Sequence, residues 1–307
     1  MQVSCKIREK EFVLKNPVMS APGGFGNVVE YKDLIDLQAL GAVIPNSLMK
    51  NCGGPNGINK FLTTPYGYLS SFGPNNMSLE MFIRQEIPNL PENVPPVIVD
   101  IKARSMEEMG ESVAMAAETE QIAAIEINLN CPYASSEPLY WKDWEKLDGL
   151  MRIVRKAAGD KPVIAKAPGG IYPMEEMARV LEGAGTDMFV PFNCVDGCAV
   201  NIWKRTLQSG GYFGPGIKPL ALSRCREACS VFHIPVIGAG GITCAEDVIE
   251  YIMVGAFAVQ IGSANLTRPD FMIRLVKDLE TLTDKLGIDS FDEIRGCASM
   301  VNMQLFD

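Results

Sequence analysis

Short apolar, β-branched runs alternate along the chain with amphipathic stretches of helical length. This is the pattern of parallel strands buried on both faces and separated by helices. The apolar runs predict strands over 17–20, 42–46, 97–102, 124–130, 162–166, 188–192, 235–238 and 257–261, and the periodic stretches predict helices over 31–40, 106–118, 144–157, 174–183, 221–231, 245–254 and 269–285. Eight strands in this alternation predict an α/β fold, a single (β/α)8 TIM barrel spanning 1–307 as one domain, and 307 residues at 47% hydrophobic suit it. Two long connections, 48–95 and 195–218, are rich in Gly, Pro and Asn. They are expected as loop insertions over the C-terminal mouth of the barrel.

Charge and cysteine usage narrow the function classes. The net charge of −9 with no basic block argues against a nucleic-acid or anionic-membrane partner. The start of the chain shows no basic-then-apolar leader, and the apolar runs are far shorter than the roughly 20 residues of a membrane span, so a cytoplasmic protein is expected. Nine cysteines without a Cys-x-x-Cys pair read as reduced thiols, and the single histidine, His233, speaks against a His-based triad or zinc site.

Candidate chemistry sits at strand ends. Residues 125–132 read Ile-Glu-Ile-Asn-Leu-Asn-Cys-Pro, an alternating strand that runs into a cysteine fixed by the following proline. Cys131 is the candidate acid/base or nucleophile, with Asn128 able to grip a polar substrate. Lys166 closes the apolar strand Pro-Val-Ile-Ala-Lys, where a buried ammonium needs a partner. Two readings stand for it, the partner of an anionic cofactor ring or a structural ion pair. The last two strands each run into glycine, Gly240-Gly241 and Gly262-Ser263, and such loops after strands seven and eight are where barrels hold a phosphate.

Together with Asn-Pro-Val-Met-Ser-Ala-Pro-Gly-Gly-Phe-Gly (16–26) and Gly-Gly-Tyr-Phe-Gly-Pro-Gly-Ile-Lys-Pro-Leu-Ala-Leu (210–222), these motifs make the chain similar over nearly its whole length to the class 1 dihydroorotate dehydrogenases. That resemblance implies a soluble FMN-dependent oxidoreductase on a (β/α)8 barrel, converting dihydroorotate to orotate in pyrimidine biosynthesis. It implies Cys131 as the base at ring carbon C5 while hydride passes between C6 and the flavin. The cofactor-binding set it implies is Ala21, Gly23, Asn46, Ser47, Asn128, Lys166, Gly214, Gly240, Gly241, Gly262 and Ser263. The substrate-binding set is Asn46, Ser70, Phe72, Gly73, Pro74, Asn128, Tyr133, Asn193 and Cys194, with no metal. Implied partners are a second copy in a homodimer and, for the oxidant, either fumarate at the same site or a separate iron–sulfur flavoprotein subunit that passes electrons to NAD, since the chain has no cluster motif of its own.

Several positions depart from the family pattern. Asn46 stands where the family has a lysine, Ser70 and Tyr133 replace asparagines, Asn130 replaces a serine, and Pro22 replaces the serine of an Ala-Ser-Gly turn. These changes gather at the substrate end. They keep open a paralogous FMN dehydrogenase or ene-reductase acting on another heterocycle or enone; a further alternative, a non-catalytic flavin-binding subunit, is opposed by the presence of Cys131, Asn128 and Lys166. Strand alternation puts Asp100 and Lys102 on one face, so Lys102 either offers a cation to the pocket or pairs with Asp100. The segment 134–141 is expected as a lid, anchored by Trp141 and Trp144.

Overall fold

A computed structural model describes residues 2–51, 60–71, 77–131 and 138–298. Its strands in chain order are β1 (Val3–Ile7), β2 (Lys10–Leu14), β3 (Val18–Ser20), β4 (Lys60–Thr64), β5 (Gly67–Ser71), β6 (Val97–Ile101), β7 (Ile122–Asn128), β8 (Val163–Lys166), β9 (Met188–Val190), β10 (Val195–Asn201), β11 (Thr206–Phe213), β12 (Ile237–Ala239) and β13 (Ala258–Ile261). The helices are α1 (Leu79–Met81), α2 (Met106–Ala117), α3 (Trp144–Ala158), α4 (Met174–Gly183), α5 (Lys218–Val231), α6 (Ala245–Met253), α7 (Phe271–Leu286) and α8 (Phe291–Ile294).

Parallel pairing runs round a ring. β6, β7, β8 and β9 form one arc and β12, β13 and β3 the other. The bridges Met19↔Ala42 and Val43↔Val97 link β3 to β6 through the segment 42–43, and Phe189↔Val236 links β9 to β12. The strands of the β6–β9 arc are buried on both faces apart from Ala123, because apolar side chains fill the barrel inside while the helices cover it outside. On α3, for example, Leu147, Leu150, Met151 and Val154 face inward at helical spacing. Side chains start the helices by taking up free N–H groups: Ser105 accepts from Glu108 N and Asp143 from Lys146 N, each at 3.1 Å.

The sequence expectations hold for seven of the eight staves within a residue or two. The eighth, expected as a strand over 42–46, pairs only through Ala42 and Val43. The helix expected over 31–40 is absent and two short turns, Val29–Tyr31 and Leu37–Ala39, stand in its place. The reason is local: Asp36 is extended, at φ −76 and ψ 92, and its side chain accepts from Gln38 N, so the chain restarts a turn instead of continuing one. The two expected loop insertions also hold strands. β10, β11, β5 and β4 form an antiparallel sheet in which Gly211 pairs with Ser70 and Tyr212 with Leu69.

The two ends of the barrel are built differently. At the N-terminal end the β1–β2 hairpin lies against the starts of β7 and β8, and Arg8 at its turn reaches Asp187, just before β9, at 3.1 Å. At the C-terminal end the strands open toward the insertion sheet, leaving room for a site.

Candidate active site

The pocket at the C-terminal mouth is built first by backbone. β12 and β13 pair in register with Ala239 opposite Gln260, so the glycines that follow each strand are neighbours. Gly240 and Gly241 adopt φ +116 and +70, a region in which L side chains are strained, and a Cβ on Gly241 would lie 2.7 Å from Lys218 N. The turn after β3 closes the third side: Ala21 N donates to Ile261 O at 2.8 Å, and a Cβ on Gly24 would sit 2.5 Å from Gly262 O. Gly262 is different, because a Cβ there would meet only Ala21 Cβ at an ordinary 3.5 Å. Packing does not demand glycine at that position.

The pocket gathers Ala21, Gly23, Lys166, Asn193, Cys194, Gly214, Gly240, Gly241, Gly262 and Ser263 from the sequence-predicted set. Phe192, Phe213, Ile217 and Leu266 add apolar walls. Among the described residues that line it there is one cation, Lys166, and no carboxylate, in a chain whose net charge is −9. The pocket is thus suited to an anionic ligand.

Lys166 makes the structural ion pair that its sequence position allowed, and it also lines the pocket. It is 3% exposed, its Nζ lies 3.2 Å from Glu126 Oε1, and it donates to Gln260 Oε1 at 2.5 Å. The Gln260 amide donates in turn to Glu126 Oε2, which fixes the amide's orientation. Burial holds the Glu126 carboxyl well above the ordinary carboxylate range, with Lys166 pulling it back and Asp100 pushing it further up. Gln260 was missed from sequence, although one polar residue inside the apolar run Ala-Val-Gln-Ile is the same kind of signal that marks Lys166.

On the opposite side of the mouth the groups are side chains. Asn128 is buried, its Nδ2 is 3.4 Å from both oxygens of Asp100, and its Oδ1 accepts from Asn130 N at 3.3 Å. Asp100 is the register partner of Glu126 and is fully buried. Cys131 is also fully buried, and its Sγ accepts from Ala103 N at 3.4 Å. Burial pushes the Cys131 thiol up to about 12; the Ala103 N–H and the Lys102 charge pull it down, while Asp100 and Glu108 push it up. Cys194 is shifted upward by burial as well, again opposed by Lys102.

The remaining predicted residues fall outside the pocket lining. Asn46 ties its wall together, its Oδ1 accepting from Gly23 N at 3.1 Å and its N donating to Gly26 O at 2.7 Å. Ser47 is half-buried beside it. Ser70 is buried in β5, and its Oγ has no hydrogen-bond partner among the described residues. Its register partner Gly211 packs against Cys194, since a Cβ on Gly211 would fall 2.5 Å from Cys194 Sγ. Phe72, Gly73, Pro74 and Tyr133 lie outside the described residues, as do 134–137 of the expected lid. Trp141 packs edge-on to Tyr172 with ring centroids 6.2 Å apart, and Tyr140 N donates to Cys131 O at 2.8 Å, so 140–141 anchor the chain beside the cysteine.

Comparison with known proteins agrees with this geometry. The family described as dihydroorotate dehydrogenase matches residues 3–283. The chain is 36% identical over 303 residues to the dihydroorotate dehydrogenase B (NAD(+)) catalytic subunit of Solidesulfovibrio magneticus, covering 96% of this chain and 98% of that one. It is 34% identical over 288 residues to the protein of the same name from Maridesulfovibrio salexigens, at 92% and 94% coverage. A third such subunit, from Desulforamulus reducens, is 30% identical over 305 residues, at 98% and 100% coverage. The chain therefore belongs to the dihydroorotate dehydrogenase family.

Proposed function

We propose that the protein is an FMN-dependent oxidoreductase that converts dihydroorotate to orotate, acting as the catalytic subunit of a dihydroorotate dehydrogenase B. The observation that carries this reading is the meeting at one mouth of a glycine pocket over Lys166, without a carboxylate among the described residues that line it, and a buried cysteine just past the neighbouring strand end. The names of the relatives support the substrate and the subunit role.

The residues fit FMN on two counts. Gly262 lines the pocket without any packing need for glycine, so its bare backbone leaves space for a ligand. The paired loops at Gly240-Gly241 and Gly262-Ser263 would hold the phosphate, and Lys166 with Gln260 would face the ring. FMN supplies a ring that accepts hydride from the substrate. Cys131 Sγ takes the proton from ring carbon C5, Asn128 and Asn193 orient the substrate ring, and the apolar walls exclude water. The burial that raises the thiol means that Cys131 rests protonated at neutral pH, so proton removal draws on a small thiolate fraction.

Electrons leave to a separate iron–sulfur flavoprotein subunit and then to NAD; the relatives' designation as NAD(+)-linked catalytic subunits supports this. The same proposal places the enzyme in the cytoplasm as a single-domain homodimer, and the free thiols among the described residues suit a reducing compartment. A second reading, turnover of a different ring, is favoured by one observation: the Asn46 side chain accepts from Gly23 N and brings no charge.

Anaerobic addition of dihydroorotate, dihydrouracil and simple saturated ketones to the FMN-loaded protein decides between the readings. Bleaching of the flavin by dihydroorotate alone is expected. Bleaching by another member of the panel only would favour the second reading, and bleaching by none would leave a flavin-binding subunit.

A further inference from the structure

Behind the polar floor of the pocket lies a cluster of buried ionisable side chains. Glu126 of β7 is fully buried, lies 3.2 Å from Lys166 Nζ of β8, and receives the Gln260 amide from β13. Because β7 and β13 belong to different arcs of the ring, these contacts cross the barrel interior. From β6, Asp100 is the register partner of Glu126, fully buried as well, and the neutral Asn128 amide meets it at 3.4 Å.

The cluster is connected to the pocket through one group. Lys166 lines the pocket, donates to Gln260 Oε1 at 2.5 Å and pairs with Glu126, so it stands between the ligand space and the carboxyl. Opposing influences act on Glu126: burial and Asp100 favour its protonated form, while the Lys166 charge favours the ionised one. Its protonation therefore depends on where the Lys166 charge is spent. A negative charge arriving over the floor competes for the ammonium and repels the carboxylate, in an interior where salt screens weakly. Both effects drive a proton onto Glu126.

We propose that Glu126 is a redox-linked proton site, taking up one proton from solvent when the ring bound over Lys166 gains negative charge and releasing it when that charge leaves. This rests on the reading of the pocket as an FMN site, and it makes Glu126 a positioning residue that acts through Lys166. Hydride from substrate C6 brings the ring two electrons and one proton, hence one negative charge, and a second proton enters the carboxylate from solvent. When the two electrons pass to the next acceptor, both protons return to solvent. The charge of the site is then the same before and after reduction.

The test is the midpoint potential of the FMN-loaded full chain, followed by anaerobic spectroelectrochemistry from mildly acid to alkaline pH. In a window near neutrality the wild-type potential should fall with pH by about 30 mV per unit more than that of Glu126→Gln, the two-electron equivalent of one proton. Reduced-minus-oxidised infrared spectra should show a protonated-carboxyl band in the wild type that Glu126→Gln lacks. Asp100→Asn removes the like charge that favours the proton, should move the steep window to lower pH, and serves if Glu126→Gln does not fold or hold FMN. Equal slopes in the wild type and Glu126→Gln, a carboxyl band that survives in Glu126→Gln, or a window unmoved in Asp100→Asn overturns the assignment. Wild-type protein that takes up no FMN overturns the cofactor reading, and the inference falls with it.

Discussion

The two halves of the mouth are made by different means. On the β12–β13 side the walls are mostly backbone: glycines at strand ends, held close by parallel register, with Lys166 and Gln260 as the polar floor. On the β6–β7 side the site is made of buried side chains, Asp100, Asn128 and Cys131. A backbone wall accepts a phosphate and ring without regard to side-chain identity. A side-chain wall can be rewritten residue by residue.

If the halves are separable, the largest change should come from the floor of the cofactor side. Lys166→Met leaves Glu126 buried without its cation, a class of change that costs about 3–5 kcal/mol. Because burial already favours the protonated form of Glu126, a proton taken up there should hold the loss near the low end. Calorimetric unfolding should show a lowered melting temperature together with loss of bound FMN; a variant that keeps both would remove Lys166 from the cofactor half.

The substrate half is best probed by pH. A thiol raised to about 12 in the folded protein gains thiolate as pH rises, so kcat/KM should climb about tenfold per pH unit from neutral into the alkaline range. The sign is fixed: activity is lost as pH falls, because the folded state holds the proton. A profile flat across that range would assign the proton to another group, while FMN content should stay constant throughout.

Smaller effects separate glycines that the fold needs from those that a ligand needs. Gly241→Ala forces a side chain into φ +70 against Lys218, at a cost of about 1–2 kcal/mol, and should lower stability and FMN affinity together. Gly262→Ala meets no packing obstacle and should weaken FMN with little change in melting temperature. Equal stability losses in the two variants would contradict the distinction. The smallest effect belongs to Asn46→Ala, which removes the bond to Gly23 N and should cost about 0.5–1.5 kcal/mol by denaturant unfolding.

Legibility in the sequence followed the same division. Barrel strands, glycine loops, Lys166 and Cys131 were readable because each is local: an apolar run, and a residue type out of keeping with it at its end. The insertion sheet was not readable, since β5 pairs with β11 across more than a hundred residues and glycines such as Gly197, Gly210 and Gly211 blur the alternation. The helix expected over 31–40 failed because one Asx contact at Asp36 outweighed helical spacing. Asp100 was seen as an inward carboxylate, but its bond to Asn128 depends on the β6–β7 register, which spacing alone does not supply.

The most direct test of a two-part site is one preparation measured twice. Wild type and Cys131→Ala are each purified with FMN, the flavin is counted per chain, and dihydroorotate is mixed in anaerobically while flavin absorbance is followed. One FMN per chain is expected in both proteins, with reduction slowed roughly 10²- to 10⁴-fold in the variant. Loss of FMN from Cys131→Ala, or reduction at the wild-type rate, would contradict the account.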